Sequence, residues 1–274
     1  MSKKPTITAL VIARNEETMI ASCLNTLRWC NEIIVLDDGS VDETATIAEE
    51  LGAKIISFKH QSFARKREEL LKRAKTDWVI YVDADERIIP TLAKEIMVLL
   101  ETGTASALKF RRNNIYYGKR LKYGGWGHDY VTRAFRAEAL KGWFGEVHES
   151  PKFIGDEVEV KTPIIHLTHR DTASGLLKSA YWTPMEAEAL YKSGIPKVGF
   201  FTLIRKGSLE FCRRFIFKGG YKEGMTGFVE SLIQGINRVL VYIQVWERQQ
   251  KPTIQEKYQK VEDEIQNLWQ EKNA

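Results

Sequence analysis

The chain is poor in the features that mark secreted or membrane-spanning proteins. Its three cysteines, Cys23, Cys30 and Cys212, form an odd set without the paired spacing of a zinc site. A reducing cytoplasm is the expected setting. The first ten residues carry no apolar core of the kind a secretory signal needs. The longest apolar candidate, Phe228 to Trp246, is interrupted by Glu230 and Arg238, so no spanning helix is expected. Internal repeats and low-complexity segments are absent. What remains is the balance of a soluble globular protein, with 28% charged and 43% apolar residues. The 274 residues suffice for one large domain, or a medium one with an appendage. The formal net charge of +5 matters mainly through where the basic residues cluster.

Two periodicities alternate through the first half. Thr6 to Ile12 reads as a buried strand, Glu16 to Cys30 as a helix, Glu32 to Leu36 as a strand and Asp42 to Leu51 as a helix. A third apolar run, Lys54 to Phe58, precedes a basic helix from about Phe63 to Lys75, and Trp78 to Val82 is a fourth strand. Beyond Pro90 a further helix, Thr91 to Glu101, is expected. Strands alternating with helices predict an open α/β layer with a mostly parallel sheet. Ligands of such sheets bind beyond the carboxyl ends of the strands.

The polar signals lie at those ends: Ala13-Arg14-Asn15-Glu16, Asp37-Asp38-Gly39-Ser40-Val41-Asp42, and Asp83-Ala84-Asp85. Ser40 or Asp42 is expected to cap the following helix. Capping leaves the adjacent acids Asp37 and Asp38 unexplained. Asp83 and Asp85 share a face if strand geometry continues through Ala84. Two carboxylates so placed call for a cation, and a divalent metal gripping a diphosphate is what such a pair most naturally serves.

Further along, Arg111 to Trp126 is basic and aromatic with no acid at all, a hairpin suited to an anion. Aromatics among Lys and Arg also suit nucleic acid, but the nearby carboxylates argue against a bare phosphate backbone. From Asp171 helical patterns dominate. Phe200, Phe201, Phe211, Phe215, Phe217 and Tyr221 stand among Lys197, Arg205, Lys206, Arg213, Arg214 and Lys218, a composition suited to an anionic membrane surface. Two domains are therefore expected, 1–170 and a helical extension, 171–274.

Three ordered motifs, Val11 to Glu16, Ile33 to Thr44 and Val82 to Glu86, resemble the family 2 glycosyltransferases of the GT-A fold. Gly124-Gly125-Trp126, Thr132 to Arg136 and Val147-His148-Glu149 resemble the WaaE/KdtX-like branch, which extends lipopolysaccharide inner cores. The resemblance covers residues 6 to about 170, and the tail more loosely. It implies a Rossmann-like sheet flanked by helices, a nucleotide-diphosphate sugar as donor and Mg²⁺ or Mn²⁺ as cofactor. The implied acceptor is a lipopolysaccharide-core or other lipid-linked glycan at the cytoplasmic face of the inner membrane.

By that resemblance Ala13, Glu16, Asp37 and Asp38 line the nucleotide pocket, and Lys66 approaches the donor phosphates. Asp83 lies near the ribose or metal, and Asp85 coordinates the metal. Arg133, Arg136 or the basic hairpin would stabilise the leaving diphosphate or hold an anionic acceptor. Glu149 is the expected general base for the acceptor hydroxyl, with Asp129 its competitor and Glu146 a weaker one. A single displacement inverts the anomeric centre. For His148 and His166 packing or hydrogen bonding is the favoured role, and neither enters the metal set.

Other classes fit less well. Sugar-nucleotide pyrophosphorylases expect a glycine-rich basic loop where Ala13 to Glu16 stands. A haloacid-dehalogenase-type phosphatase expects Thr or Val where Glu86-Arg87 follows. A nucleotide-sugar-binding or receiver-like module without transfer activity is the non-enzymatic alternative, but it gives no reason for the basic aromatic segment.

Overall fold

The computed structural model describes residues 4–103, 105–145 and 149–272, and its chain divides into two compact units, Met1–Asp171 and Thr172–Ala274. In the first unit the apolar runs become β1 (Ile7–Ala13), β2 (Glu32–Asp37), β3 (Lys54–Ser57) and β4 (Trp78–Asp83). They alternate with α1 (Glu17–Asn25), α2 (Thr44–Glu50) and α3 (Phe63–Arg73). All neighbouring pairs among these strands run parallel, Ala13 level with Asp37 and Ile12 level with Asp83. The crossovers thus deliver three polar loops to one edge.

The chain then adds β5 (Glu86–Arg87), α4 (Pro90–Thr102), β6 (Ala107–Tyr116), β7 (Lys119–Arg120), β8 (Tyr130–Arg136), β9 (Leu140–Phe144), β10 (Ser150–Phe153) and β11 (Glu157–Leu167). Among the described residues the main sheet runs β3-β2-β1-β4-β8-β6-β11-β5, with β7 paired to β6. β8 enters antiparallel between β4 and β6, so the sheet is mixed but mostly parallel. The two-residue alternation of β1 divides the core: Ala9 and Val11 pack with Ile20, Leu24 and Ile96, while Leu10 packs with Leu70, Tyr81, Phe135 and Trp143.

Two sequence expectations change and one holds. β4 stops at Asp83 and Ala84-Asp85 forms a turn, so strand alternation does not put the two aspartates on one face. The basic aromatic segment does form a hairpin: the end of the ten-residue interior strand β6 turns at Tyr117-Gly118 into the two-residue antiparallel β7. Helix α1 ends at Asn25, five residues short of Cys30.

The second unit contains α5 (Thr172–Lys192), α6 (Phe200–Cys212), a π-helical turn (Arg213–Phe217), a 3-10 turn (Gly220–Glu223), α7 (Met225–Arg248) and α8 (Ile254–Lys272). Ala187, Val198, Val241, Tyr242 and Val245 form its core. Helices α6 and α7 meet closely at Gly207, where an added Cβ would lie 2.5 Å from Val239 Cγ2.

Candidate active site

The loops after β1 and β2 are laced together. Asn15, held at φ 53°, donates its N–H to Ser40 Oγ (3.0 Å) and accepts from Val41 N through Oδ1 (2.9 Å). Glu16 N donates to Thr44 Oγ1 at 2.7 Å. Asp42 accepts from Thr44 N (3.1 Å) and from Glu17 N (3.2 Å) at the start of α1. It therefore serves both helix starts, whereas Ser40 serves the Asn15 loop. Burial pushes the Asp42 carboxyl up, and these bonds more than offset it, leaving it below the ordinary value.

Asp37 and Asp38 divide their work. Asp37 is 9% exposed and accepts from Ser40 N at 3.1 Å. Asp38 pairs with the Lys66 ammonium and accepts from His60 N at 3.2 Å. Lys66 is fully buried, and its Nζ also lies 4.4 Å from the Phe63 ring. The lysine expected at the phosphates is thus enclosed with Asp38.

Beyond β4 the acids and guanidiniums alternate in one chain of contacts. Arg112 meets Asp129 at 2.9 Å and the fully buried Glu86 at 3.4 Å. Glu86 lies 3.6 Å from Arg133 and accepts from Asp83 N at 3.0 Å. Arg133 bonds Asp83, Arg67 stands 3.8 Å from Asp83, and Arg67 Nε donates to Glu149 Oε1 at 3.0 Å. The Arg67 guanidinium lies against the rings of Tyr81 and Trp143, 5.2 and 4.7 Å from their centroids. Burial raises the Asp83 carboxyl, but Arg133 and Arg67 outweigh it and hold the group below the ordinary value. Asp129 is lowered too: burial opposes it, while the Arg112 charge, the Arg112 bonds and the Asn114 amide prevail.

A second chain joins Asp85 to the same cluster. Register sets His166 of β11 level with Asn114 of β6 and Glu86 of β5. The Asn114 amide donates to Asp129 Oδ2 (2.9 Å) and Trp126 O (3.2 Å), which turns its oxygen toward His166 Nδ1 at 2.6 Å. An amide oxygen only accepts, so Nδ1 carries the proton and Nε2 faces Asp85 Oδ2 at 3.4 Å. Arg87 braces the turn from below, donating to Ala84 O (2.8 Å), Met19 O (3.1 Å) and Ser22 Oγ (2.6 Å).

Among the described residues, no three or more His, Cys, Asp or Glu side chains are grouped as a metal site. Asp85 and His166 nonetheless supply an oxygen and an oriented nitrogen. That donor set fits a cation which takes its other ligands from a diphosphate and water. Asp83 fits less well, since two guanidiniums already occupy its carboxylate.

The structure therefore gathers Ala13, Glu16, Asp37 and Asp38 at adjacent strand ends, and joins Asp83, Asp85, Asp129, Arg133 and Glu149 through contacts. Arg136 is not among them. It pairs with Trp78 at the amino end of β4, roughly 17 Å of strand from Asp83, and its guanidinium lies over the Trp78 ring. Glu146 and His148 fall outside the described residues. Arg67 and Arg87 carry no sequence signal as site members, and His166 carries none for its partners. Glu86 is signalled by its position directly after the Asp83-Ala84-Asp85 run, and Arg112 and Asn114 only by lying in the basic segment Arg111 to Trp126.

A mixed, mostly parallel α/β sheet with acids collected beyond its strand ends is the GT-A architecture of nucleotide-sugar-dependent glycosyltransferases. The chain matches Glycosyl transferase family 2 over residues 8–210 and belongs to that family. It is an enzyme class, which sets the receiver-like reading aside. The lipopolysaccharide core biosynthesis glycosyltransferase LpsC of Rhizobium meliloti is 23% identical, over 90% of this chain and 94% of that protein. The uncharacterized glycosyltransferase RC0292 of Rickettsia conorii is 24% identical over 85% and 87%. Among solved structures, S. aureus TarS 1–349 covers 89% of this chain and 82% of its own, at 16% identity and TM-score 0.44. Glucosyl-3-phosphoglycerate synthase from Mycobacterium tuberculosis, solved with Mg²⁺ and uridine diphosphate, covers 71% and 82% at 18% identity and TM-score 0.44.

Proposed function

We propose that this transferase moves a sugar, with inversion, from a nucleotide-diphosphate sugar to a hydroxyl of a lipopolysaccharide-core or other lipid-linked glycan. The place of work is the cytoplasmic face of the inner membrane. The observation that carries the reading is the continuous contact chain from Asp85 and His166 to Glu149. It holds a ligand pair for the diphosphate end and a carboxylate for the acceptor end in one cluster. The kind of acceptor is supported by the role of LpsC in lipopolysaccharide core biosynthesis.

In this reading Ala13, Glu16 and Asp37 border the nucleotide, and Asp38 is fixed behind them by Lys66. Asp85 and His166 would hold Mg²⁺ or Mn²⁺, which supplies Lewis-acid stabilisation of the departing diphosphate. Arg133 sets the Asp83 carboxylate near the ribose. Glu149 removes the proton of the acceptor hydroxyl as its oxygen bonds the anomeric carbon and the bond to the diphosphate breaks. Glu149 is favoured over Asp129 because Arg112 and Asn114 together grip both oxygens of Asp129. Such bonds stabilise the ionised form and weaken it as a base.

A donor screen tests the reading. Purified protein, a lipopolysaccharide-core acceptor fraction and Mg²⁺ or Mn²⁺ are incubated with individual nucleotide sugars, and released nucleoside diphosphate is measured. Acceptor-dependent release with at least one donor is expected. Release that ignores the acceptor across the whole panel would count against the acceptor assignment.

A further inference from the structure

The second unit carries an exposed apolar surface that the sugar-transfer site does not use. Phe200 and Phe201 at the start of α6 are 70% and 83% exposed, Phe217 in the π-helical turn 81%, and Met225 at the start of α7 73%. Phe228, Leu232 and Ile236 continue the exposed side of α7. The only charges from Met225 to Val245 are Glu230, fully buried, and Arg238, which is paired with Glu186. Between α6 and α7 lies an apolar groove of about 560 Å³ lined by residues that include Ile204, Phe211, Leu232 and Ile236.

Exposed charge from Lys197 to Glu223 has one sign, the exposed acid Glu247 lying beyond it near the end of α7. Lys197, Arg205, Arg213, Lys218 and Lys222 are exposed, while the acids of the same stretch, Glu210 and Glu223, are buried. Arg213 and Arg214 clamp Glu210, each with a bond of 2.6 Å, so the basic character facing solvent rests more on the lysines. Helix α8 offers a contrast. Tyr258, Val261, Ile265 and Leu268 are exposed there, but Glu256, Glu262, Asp263 and Glu264 accompany them, and an acidic helix is repelled by anionic lipid.

We propose that the exposed face of α6, the two turns and α7 docks on an anionic lipid bilayer, with Phe201, Phe217 and Met225 entering the interface and the flanking lysines meeting lipid phosphates. Rings at the headgroup level and cations around them are the two terms that hold a peripheral protein to such a surface. Among the described residues no helix is long and apolar enough to cross a membrane, so the contact is interfacial. This docking stands apart from the transfer reading, since it is read without donor or acceptor.

The test is co-sedimentation of the full chain with vesicles of phosphatidylcholine, with or without about a third phosphatidylglycerol. Binding is expected only with the anionic lipid and should fall as salt rises. Phe201→Ser and Phe217→Ser should each weaken it about tenfold, as expected for one buried ring. The pair Lys197→Glu and Lys218→Glu should remove the preference for phosphatidylglycerol. These side chains are exposed, so far-UV circular dichroism should be unchanged. Absent binding, or binding indifferent to all four substitutions, would overturn the proposal. So would sedimentation equilibrium showing a dimer that Phe201→Ser and Phe217→Ser dissolve, because the face would then be occupied by a second copy.

Discussion

Asp85, in the turn after β4, and His166, in β11, face each other with the carboxylate Oδ2 3.4 Å from Nε2 and the imidazole turned by Asn114. His166→Ala should weaken Mg²⁺ or Mn²⁺ about 10- to 100-fold, the usual loss when a site's nitrogen ligand or its support is removed. Asn114→Ala should weaken it less, by freeing the ring. Metal-activation curves of donor turnover check both. Unchanged curves for His166→Ala would restrict the metal to Asp85.

Asp38 and Lys66 form a buried pair, so their single and double replacements should differ. Lys66→Met leaves a buried carboxylate without its cation and should cost about 3–5 kcal/mol. Asp38→Leu with Lys66→Met should recover most of that loss. Urea unfolding of the three variants provides the comparison. A double variant as unstable as the single would mean that His60 and the β2 loop depend on the Asp38 carboxylate itself.

Glu149 and Asp129 are separable by kinetics. Glu149→Gln should lower kcat by about 10²- to 10⁴-fold with little change in donor KM, the range for losing a general base. Asp129→Asn should act through Arg112 and Asn114, moving stability and KM more than kcat. A larger kcat loss in Asp129→Asn would exchange the two roles.

Acid should loosen the first unit through Asp83. Its folded carboxyl is held below the ordinary 3.8 because Arg133 and Arg67 outweigh the opposing effect of burial. A lowered folded pKa adds stability that is complete above the unfolded value and fades as pH falls through the folded one. Unfolding midpoints should therefore drop below about pH 4, and Asp83→Asn should flatten that part of the curve. Equal slopes in the two proteins would remove Asp83 as the source.

Much of this was legible because local pattern and function coincide at strand ends. The runs Thr6 to Ile12 and Glu32 to Leu36 are continuous apolar stretches, and their polar sequels fall at the same edge wherever parallel crossovers operate. The other half of the site depends on pairings that no local pattern encodes. Arg112 reads as part of a basic stretch until β8 brings Asp129 beside it, and His166 is one histidine among several until β11 settles level with Asn114 and Glu86. Lys66 and Arg67, adjacent in a basic helix, face different acids only because α3 packs with one side to β2 and the other toward Glu149. The turn at Ala84 was hidden by the apolar run before it, which reads as a strand that continues.

The proposed sugar transfer runs from an Asp85-centred diphosphate site to an acceptor activated by Glu149. Nucleoside diphosphate release, measured with acceptor for the unmodified protein, Asp85→Ala and Glu149→Gln in parallel, with and without Mg²⁺ or Mn²⁺, tests it most directly. Metal-dependent release from the unmodified protein is expected, with its collapse in both variants. Full, metal-independent release from Asp85→Ala, together with undiminished turnover by Glu149→Gln, would contradict the proposed transfer.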